Sequence, residues 1–253
     1  MKSKILLFIS MFCFTYSVNA TSFGSADTNK TNNAGKKVGL WKEKVGQSEC
    51  YGNYEDGTKD GQWVCYHANG VVSNIGQYKN GKLNGVYLII DKSGYNYLKE
   101  SYVNDTLNGK SITYHSNAKL KSETDYKMGV LDGMKKVYYQ DGKIQEEGSY
   151  KKNVRDGIAK WYYPEGQVSI EYNYKNGSLE GIQKAFYKNG KVNSEVKFVN
   201  NLEEGEYKEY FETEKLKITG KYIHGKREGD WKEFDETGKV IKVEKYKNGE
   251  LKK

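Results

Sequence analysis

The residues best suited to redox or metal chemistry in these 253 residues are three cysteines and three histidines. Cys13 lies in an apolar N-terminal run, which leaves Cys50, Cys65 and His67 as one candidate cluster. Counting a hairpin register places Cys50 opposite His67 and Cys65 opposite Gly52, so the two cysteines become diagonal neighbours on one face. Diagonal neighbours stand farther apart than a disulfide prefers. A disulfide, two free buried thiols and a Cys50/Cys65/His67 metal site all remain open, although the metal site has no clear fourth ligand. His67 and His115 recur at the same place in a repeating pattern, roughly 19 Å apart at four strand spacings, so they share neither proton nor metal. With His224 they read as surface residues.

Carboxylates are the next candidates. Asp60, Asn84, Asn108, Asp132, Asp156, Glu180, Glu204 and Glu228 each precede a glycine at fixed spacing. A catalytic carboxylate pair needs a separation of about 5–10 Å, which neighbours in this column could meet. An acid repeated along the whole chain is a turn residue, however, not a general acid. The sequence has no phosphate-cradling glycine loop, nucleophile elbow or zinc-helix signature. It reads as a non-enzyme with no cofactor and no small-molecule substrate.

These residues are positioned by a repeat. Gly recurs at 61, 85, 109, 133, 157, 181, 205 and 229, each interval being 24. With that Gly as position zero, positions 5 and 17 are almost wholly aromatic, as in Tyr66 and Tyr78. Positions 9 and 20 hold turn formers, as in Gly70 and Gly81. Where position 20 is not Gly it is Asp105, Asn153 or Asn201, residue types that tolerate a left-handed backbone. A strict period of this length marks a repeat architecture. Each unit reads as a β-hairpin with a two-residue type I′ turn at sites such as Asn69-Gly70 and Asp141-Gly142. A four-residue loop such as 81–84 leads to the next unit. That register sets Tyr78 opposite Tyr87, Tyr54 opposite Trp63, Phe198 opposite Tyr207 and Tyr222 opposite Trp231. The expected fold is all-β: an elongated, single-layer antiparallel meander of about eighteen strands, roughly 85 Å long.

The first unit is degenerate, since Gly39 and Gly61 are only 22 apart. Residues 39–253 form one repeat domain. Residues 21–38 are small and polar and read as a flexible leader. Residues 1–20 carry Lys2 and Lys4, an apolar run and a small-residue end at Val18-Asn19-Ala20, the pattern of a secretory signal peptide. The expected location is therefore exported: periplasm, outer cell surface or secreted. The formal net charge is +8, spread as interleaved Lys and Glu or Asp. That suits a solvated surface, and no nucleic-acid motif accompanies it.

The units GQWVCYHANG at 61–70, YKNGKLNG at 78–85, AFYKNGKV at 185–192 and GDWKEFDETG at 229–238 resemble the MORN repeat in its bacterial variant. The resemblance covers Gly39 to the C-terminus and implies serial hairpins in an elongated sheet. It also implies antitoxin-like or scaffold roles, by analogy. Ser111, Lys135, Ala159 and Gln183 depart from it, replacing the aromatic at position 2. The function expected is a non-catalytic protein-binding or scaffold module. The alternatives are an envelope-associating protein that meets a membrane surface or anionic lipid, and an antitoxin-like or immunity protein. The candidate binding face is Tyr66, Tyr114, Tyr138, Tyr162, Tyr210, Trp63 and Trp231, with Cys50 and Cys65 as a candidate disulfide.

Overall fold

The computed structural model describes residues 28–252. The expected signal peptide lies outside the described residues. Among the described residues, twenty-two antiparallel strands follow one another in a single sheet, and each pairs with a strand next to it in the meander. Two are short terminal pieces, Lys30–Thr31 and Glu250–Leu251. Two more arise where one strand is interrupted, Thr106–Leu107 before Gly109–Tyr114 and Ser178–Leu179 before Gly181–Phe186. Eighteen full-length strands remain, the number the repeat predicts. Among the described residues every substantial contact between elements joins sheet neighbours, so no second layer covers either face. The described part of the stretch expected as a leader, from residue 28 on, already joins the sheet, with Lys30 opposite Val38 and Thr31 opposite Lys37.

The two turns of each unit exchange the geometries expected from the sequence. At Asn69-Gly70 the His67 N–H donates to the Val71 carbonyl and the Gly70 N–H to the His67 carbonyl. Only Gly70 in that loop has positive φ, at 79°. This is a three-residue turn ending in a left-handed residue, with a register shift between Cys65 and Tyr66. The type I′ turn is at the other link, where Asn80 and Gly81 have φ of 51° and 80° and Lys79 faces Lys82. Two residues close this link, not four. Tyr78 therefore faces Leu83, and Gly76 faces Tyr87. Likewise Gly52 faces Trp63, and Val196 faces Tyr207. The expected aromatic pairs are diagonal, not opposite. Two of them still touch, Tyr54–Trp63 at 5.3 Å and Tyr222–Trp231 at 5.0 Å between ring centroids.

The leading Gly of each unit has a local cause. Gly85 has φ of 125° and lies at a bulge, where an added Cβ would fall 2.9 Å from the Gln77 Cβ. The shortened first unit is also explained. Its hairpin closes Val45 on Ser48 around Gly46-Gln47, so Glu43 faces Cys50. In the next unit the corresponding Cys65 faces Asn74 across a longer turn. The missing two residues are lost from the turn, and the strands keep step.

Successive units are stapled along both sheet margins. The N–H of each second-link turn donates to a carbonyl of the preceding unit, as Gly81 does to Lys59 and Asn153 to Leu131. Where position 20 is Asp or Asn, its side chain takes a further N–H: Asp105 from Leu83, Asn153 from Leu131 and Asn201 from Leu179. The acids before each leading Gly do related work. Asp156, Glu180, Glu204 and Glu228 accept from the N–H groups of Asn176, Asn200, His224 and Asn248 in the next turn.

Candidate partner-binding faces

Side chains alternate between the two faces of a strand, so neighbours in sequence separate. Trp63 and Val64 thus lie on opposite faces, here named the tryptophan face and the ladder face. On the tryptophan face the position-2 ring covers position 15 of the preceding unit. Trp63 lies over Gly52, where an added Cβ would meet the indole at 2.3 Å. Trp231 lies over Gly220 in the same way, at 2.2 Å. Tyr87 lies over Gly76 and Tyr207 faces Val196, but in the three units from Gly109 to Gly157 the contact is polar or small. The Ser111 hydroxyl donates to Glu100, Lys135 faces Thr124, and Ala159 faces Gly148.

A column absent from the sequence expectations completes this face. Position 22 is Lys37, Lys59, Arg155 or Arg227 in four units. Each cation sits over aromatic rings: Lys59 is 3.8 Å from the Trp63 centroid and Arg227 is 4.1 Å from that of Trp231. Lys37 lies 4.4 Å from Trp41, and Arg155 lies 4.9 Å from Trp161. Arg155 also pairs with Glu146. The signal was available in sequence, because this column otherwise holds mostly Leu and changes to Lys or Arg only beside these tryptophans.

One unbroken row of directly opposed residues crosses the ladder face. It runs Tyr51, Val64, Ile75, Leu88, Lys99, Ile112 and Glu123. It continues as Lys136, Glu147, Lys160, Glu171, Lys184, Glu195 and Lys208. The row changes character at Glu123, from mainly apolar to strictly alternating charge. In the charged part the position-5 tyrosines tie units together. Tyr138 donates to Glu123 at 2.6 Å, Tyr162 to Glu147 at 2.6 Å and Tyr210 to Glu195 at 2.9 Å. Burial, and then the carboxylate bond, push the Tyr138 and Tyr162 phenols well above their usual range. The Tyr162 hydroxyl, with help from Lys136, holds the Glu147 carboxyl below its own.

The seven aromatics grouped as one candidate face therefore divide between two. Trp63 and Trp231 are on the tryptophan face, 2% and 5% exposed. Tyr66, Tyr114, Tyr138, Tyr162 and Tyr210 are half-buried on the ladder face. An odd separation along the strand forces the division.

The cysteine register is also corrected. Cys50 faces Cys65 directly, and the two are joined in a disulfide. The link at Asp56-Gly57 is closed by two residues, with Glu55 facing Thr58, and a register shift between Gly52 and Asn53 then sets Cys50 opposite Cys65. His67 is not beside them; its Nε2–H donates to the Ile90 carbonyl at the next turn, and His115 does the same to Tyr138. Both are half-buried staples, whereas His224 is exposed near Glu204. Among the described residues no group of His, Cys, Asp and Glu has the makings of a metal site.

Six stretches, 59–80, 131–152, 155–176, 179–200, 203–224 and 227–248, match the MORN repeat variant. Together they cover just over half of the sequence. The chain belongs to the MORN repeat variant family. No curated protein matches it. In this MORN-variant chain, residues 81–130 lie between the first and second matched stretches. They keep the strand register and carry Leu88, Ile90, Lys99, Ile112 and Tyr114 on the ladder face.

Proposed function

We propose that this MORN-variant protein is an exported, non-catalytic binding module that engages a protein partner through the ladder face of its first units. The observation that carries the reading is the apolar stretch Val64, Ile75, Leu88 and Ile112. These residues are directly opposed or one step apart, and among the described residues no second layer covers them. Half-exposed Tyr66, Ile90 and Tyr114 flank the stretch, and Tyr97 beside it is 57% exposed. Contiguous apolar surface of this kind marks interaction sites, and tyrosine supplies rigid contact area. The same row further along is closed by its own Lys–Glu and Tyr–Glu bonds, which leaves it little to offer a partner.

The Cys50–Cys65 disulfide supports export, because such bonds persist in oxidising compartments. It accords with the N-terminal targeting pattern.

The test is binding from an envelope fraction by immobilised wild-type protein and by Leu88→Lys, with circular dichroism to establish that both are folded. Retention of a specific partner by wild type and its loss from Leu88→Lys is the expected result. Equal retention by both, or partner loss caused instead by Lys184→Glu in the charged row, defeats the reading.

A further inference from the structure

We infer that the ladder-face patch takes a protein segment combining apolar side chains with one carboxylate, and that Lys99 is the residue that reads the carboxylate. The inference rests on the binding reading above and specifies the partner's chemistry. Lys99 occupies position 14, the place that Glu123, Glu147, Glu171 and Glu195 hold in the next four units. Its direct cross-strand neighbours are Leu88 and Ile112. The diagonal positions from those partners are Val86, Ile90, Lys110 and Tyr114. None is an acid, and Lys110 is engaged by Asp125 at 2.9 Å. Among the described residues Lys99 forms no ion pair and no side-chain hydrogen bond. In the charged row each lysine from Lys136 to Lys184 stands between two glutamates; Lys99 stands between two aliphatic residues.

A lysine held on an apolar surface gives little to folding and much to discrimination. A partner covering Leu88 and Ile112 removes water from the ammonium and must offer it an anion, or bear the cost of an unpaired buried charge. A second copy of this chain is a poor occupant, because the nearby ladder acids are already engaged. Glu123 takes the Tyr138 hydroxyl, Glu147 takes Tyr162 and Lys136, and Glu195 takes Tyr210. An anionic membrane draws on several free cations at one surface, whereas among the described residues this apolar row holds one, Lys99. One cation amid aliphatic and tyrosine side chains matches one carboxylate amid apolar residues.

The test uses a phage-displayed random peptide library selected on the full-length protein. Parallel measurements use Lys99→Glu, Lys99→Gln, Leu88→Lys and, should Leu88→Lys fail to fold, Ile112→Ser. Selected peptides should combine Asp or Glu with apolar residues. They should lose about tenfold or more in affinity for Lys99→Glu, less for Lys99→Gln, and all measurable binding to Leu88→Lys. Peptides without acidic bias, or equally tight on Lys99→Glu while lost from Leu88→Lys, overturn the carboxylate inference and leave the surface reading standing. Undiminished binding to both Leu88→Lys and Ile112→Ser overturns the two together. Binding to phosphatidylglycerol vesicles that Lys99→Glu abolishes gives the patch to lipid and overturns the inference. A sedimenting dimer that Leu88→Lys abolishes gives it to a second copy, with the same consequence.

Discussion

The repeat beginning at Gly61 and the repeats from Gly109 to Gly157 share one backbone but solve the problem of a single-layer sheet differently. Around Gly61 both faces are apolar. Trp63 fills the space over Gly52 on one side, and Val64 lies beside Ile75 on the other. Further along, the tryptophan face has Ser111, Lys135 and Ala159 where rings would stand, and the ladder face is held by Tyr–Glu and Lys–Glu bonds. A sheet without a second layer must stabilise each unit through its neighbours. The first region does so by ring-over-glycine packing plus a disulfide, the second by hydrogen bonds between units. The apolar row of the ladder face starts in the first region and ends at Ile112, where the charged row begins, and it is along that row that a binding role is proposed.

Substitutions at position 15 should separate the two regions most strongly. Gly52→Ala sets a Cβ 2.3 Å from the Trp63 indole, closer than any real contact. Overpacking of this kind costs about 1–3 kcal/mol, and loss of the ring stack altogether about 3–5 kcal/mol. Gly148→Ala meets the Ala159 Cβ at 3.3 Å and the Arg155 guanidinium at 3.6 Å, both near ordinary contact, and should change stability by less than about 1 kcal/mol. Denaturant unfolding of the two variants, followed by tryptophan fluorescence, tests the contrast. Equal losses would mean that ring packing does not distinguish the regions.

Removing the disulfide is the next largest expected effect. Cys50 and Cys65 are 15 residues apart, and a bridge over a loop of that size stabilises by about 3 kcal/mol. The double change Cys50→Ala with Cys65→Ala should therefore loosen the first two hairpins. Amide exchange should rise at Glu49–Tyr66 and remain unchanged at Glu147–Trp161. Protection lost evenly along the sheet would show that the units unfold as one body, without regional character.

How much of this was legible in the sequence follows from the same contrast. The 24-residue period gave the hairpins, the single layer and the strand number, because each column holds one physical type. Position 20 was correctly read as left-handed from its Asp and Asn substitutes. The register was not legible, because the two links have similar turn residues and only hydrogen bonding separates a three-residue turn from a type I′ pair. That error misplaced Cys65 relative to Cys50 and set Tyr54 opposite Trp63. The division of the aromatics between faces follows from parity alone, since Trp63 and Tyr66 are three apart. The apolar row needed the register first: Val64, Ile75, Leu88 and Ile112 are scattered in sequence and meet only once each strand is aligned.

The tyrosines of the second region give a smaller effect. Tyr162→Phe removes the hydroxyl that donates to Glu147 and should cost about 1–2 kcal/mol, since a bond to a carboxylate is stronger than a neutral one. Tyr66→Phe, in the first region, should be close to neutral. Alkaline titration probes related groups. Burial, with the Glu100 bond second, pushes Tyr102 up to about 12, and burial does the same to Tyr207, with Glu209 second. These phenols stay protonated in the folded sheet after those of the unfolded chain ionise near pH 10. Their contribution is thus intact below about pH 10 and lost between about pH 10 and 12. Unfolding monitored against pH should steepen in that window for wild type and less so for a Tyr102→Phe, Tyr207→Phe double variant.

The smallest expected effect is a gain. Position 9 ends the first turn in a left-handed backbone in every full unit, yet in two units the residue there is not glycine. Ala118 has φ of 62° and Glu214 has φ of 65°. A residue with a Cβ pays about 1–2 kcal/mol for that conformation, whereas glycine adopts it freely but loses more chain entropy on folding. The difference leaves Ala118→Gly and Glu214→Gly more stable by about 0.5–1 kcal/mol each. The Ala118 turn joins Gly109–Tyr114 to Leu120–Lys127, at the boundary where the row passes from Ile112 to Glu123. If the two regions open separately, Ala118→Gly should slow exchange in the strands beside that boundary more than Glu214→Gly does. Glu214→Gly also removes the carboxylate that meets Lys191 at 3.2 Å, an exposed pair worth about 0–1 kcal/mol, so its net gain should be the smaller of the two. A loss of stability in Ala118→Gly would mean that the turn is not strained in solution and that its left-handed residue carries no penalty for glycine to relieve.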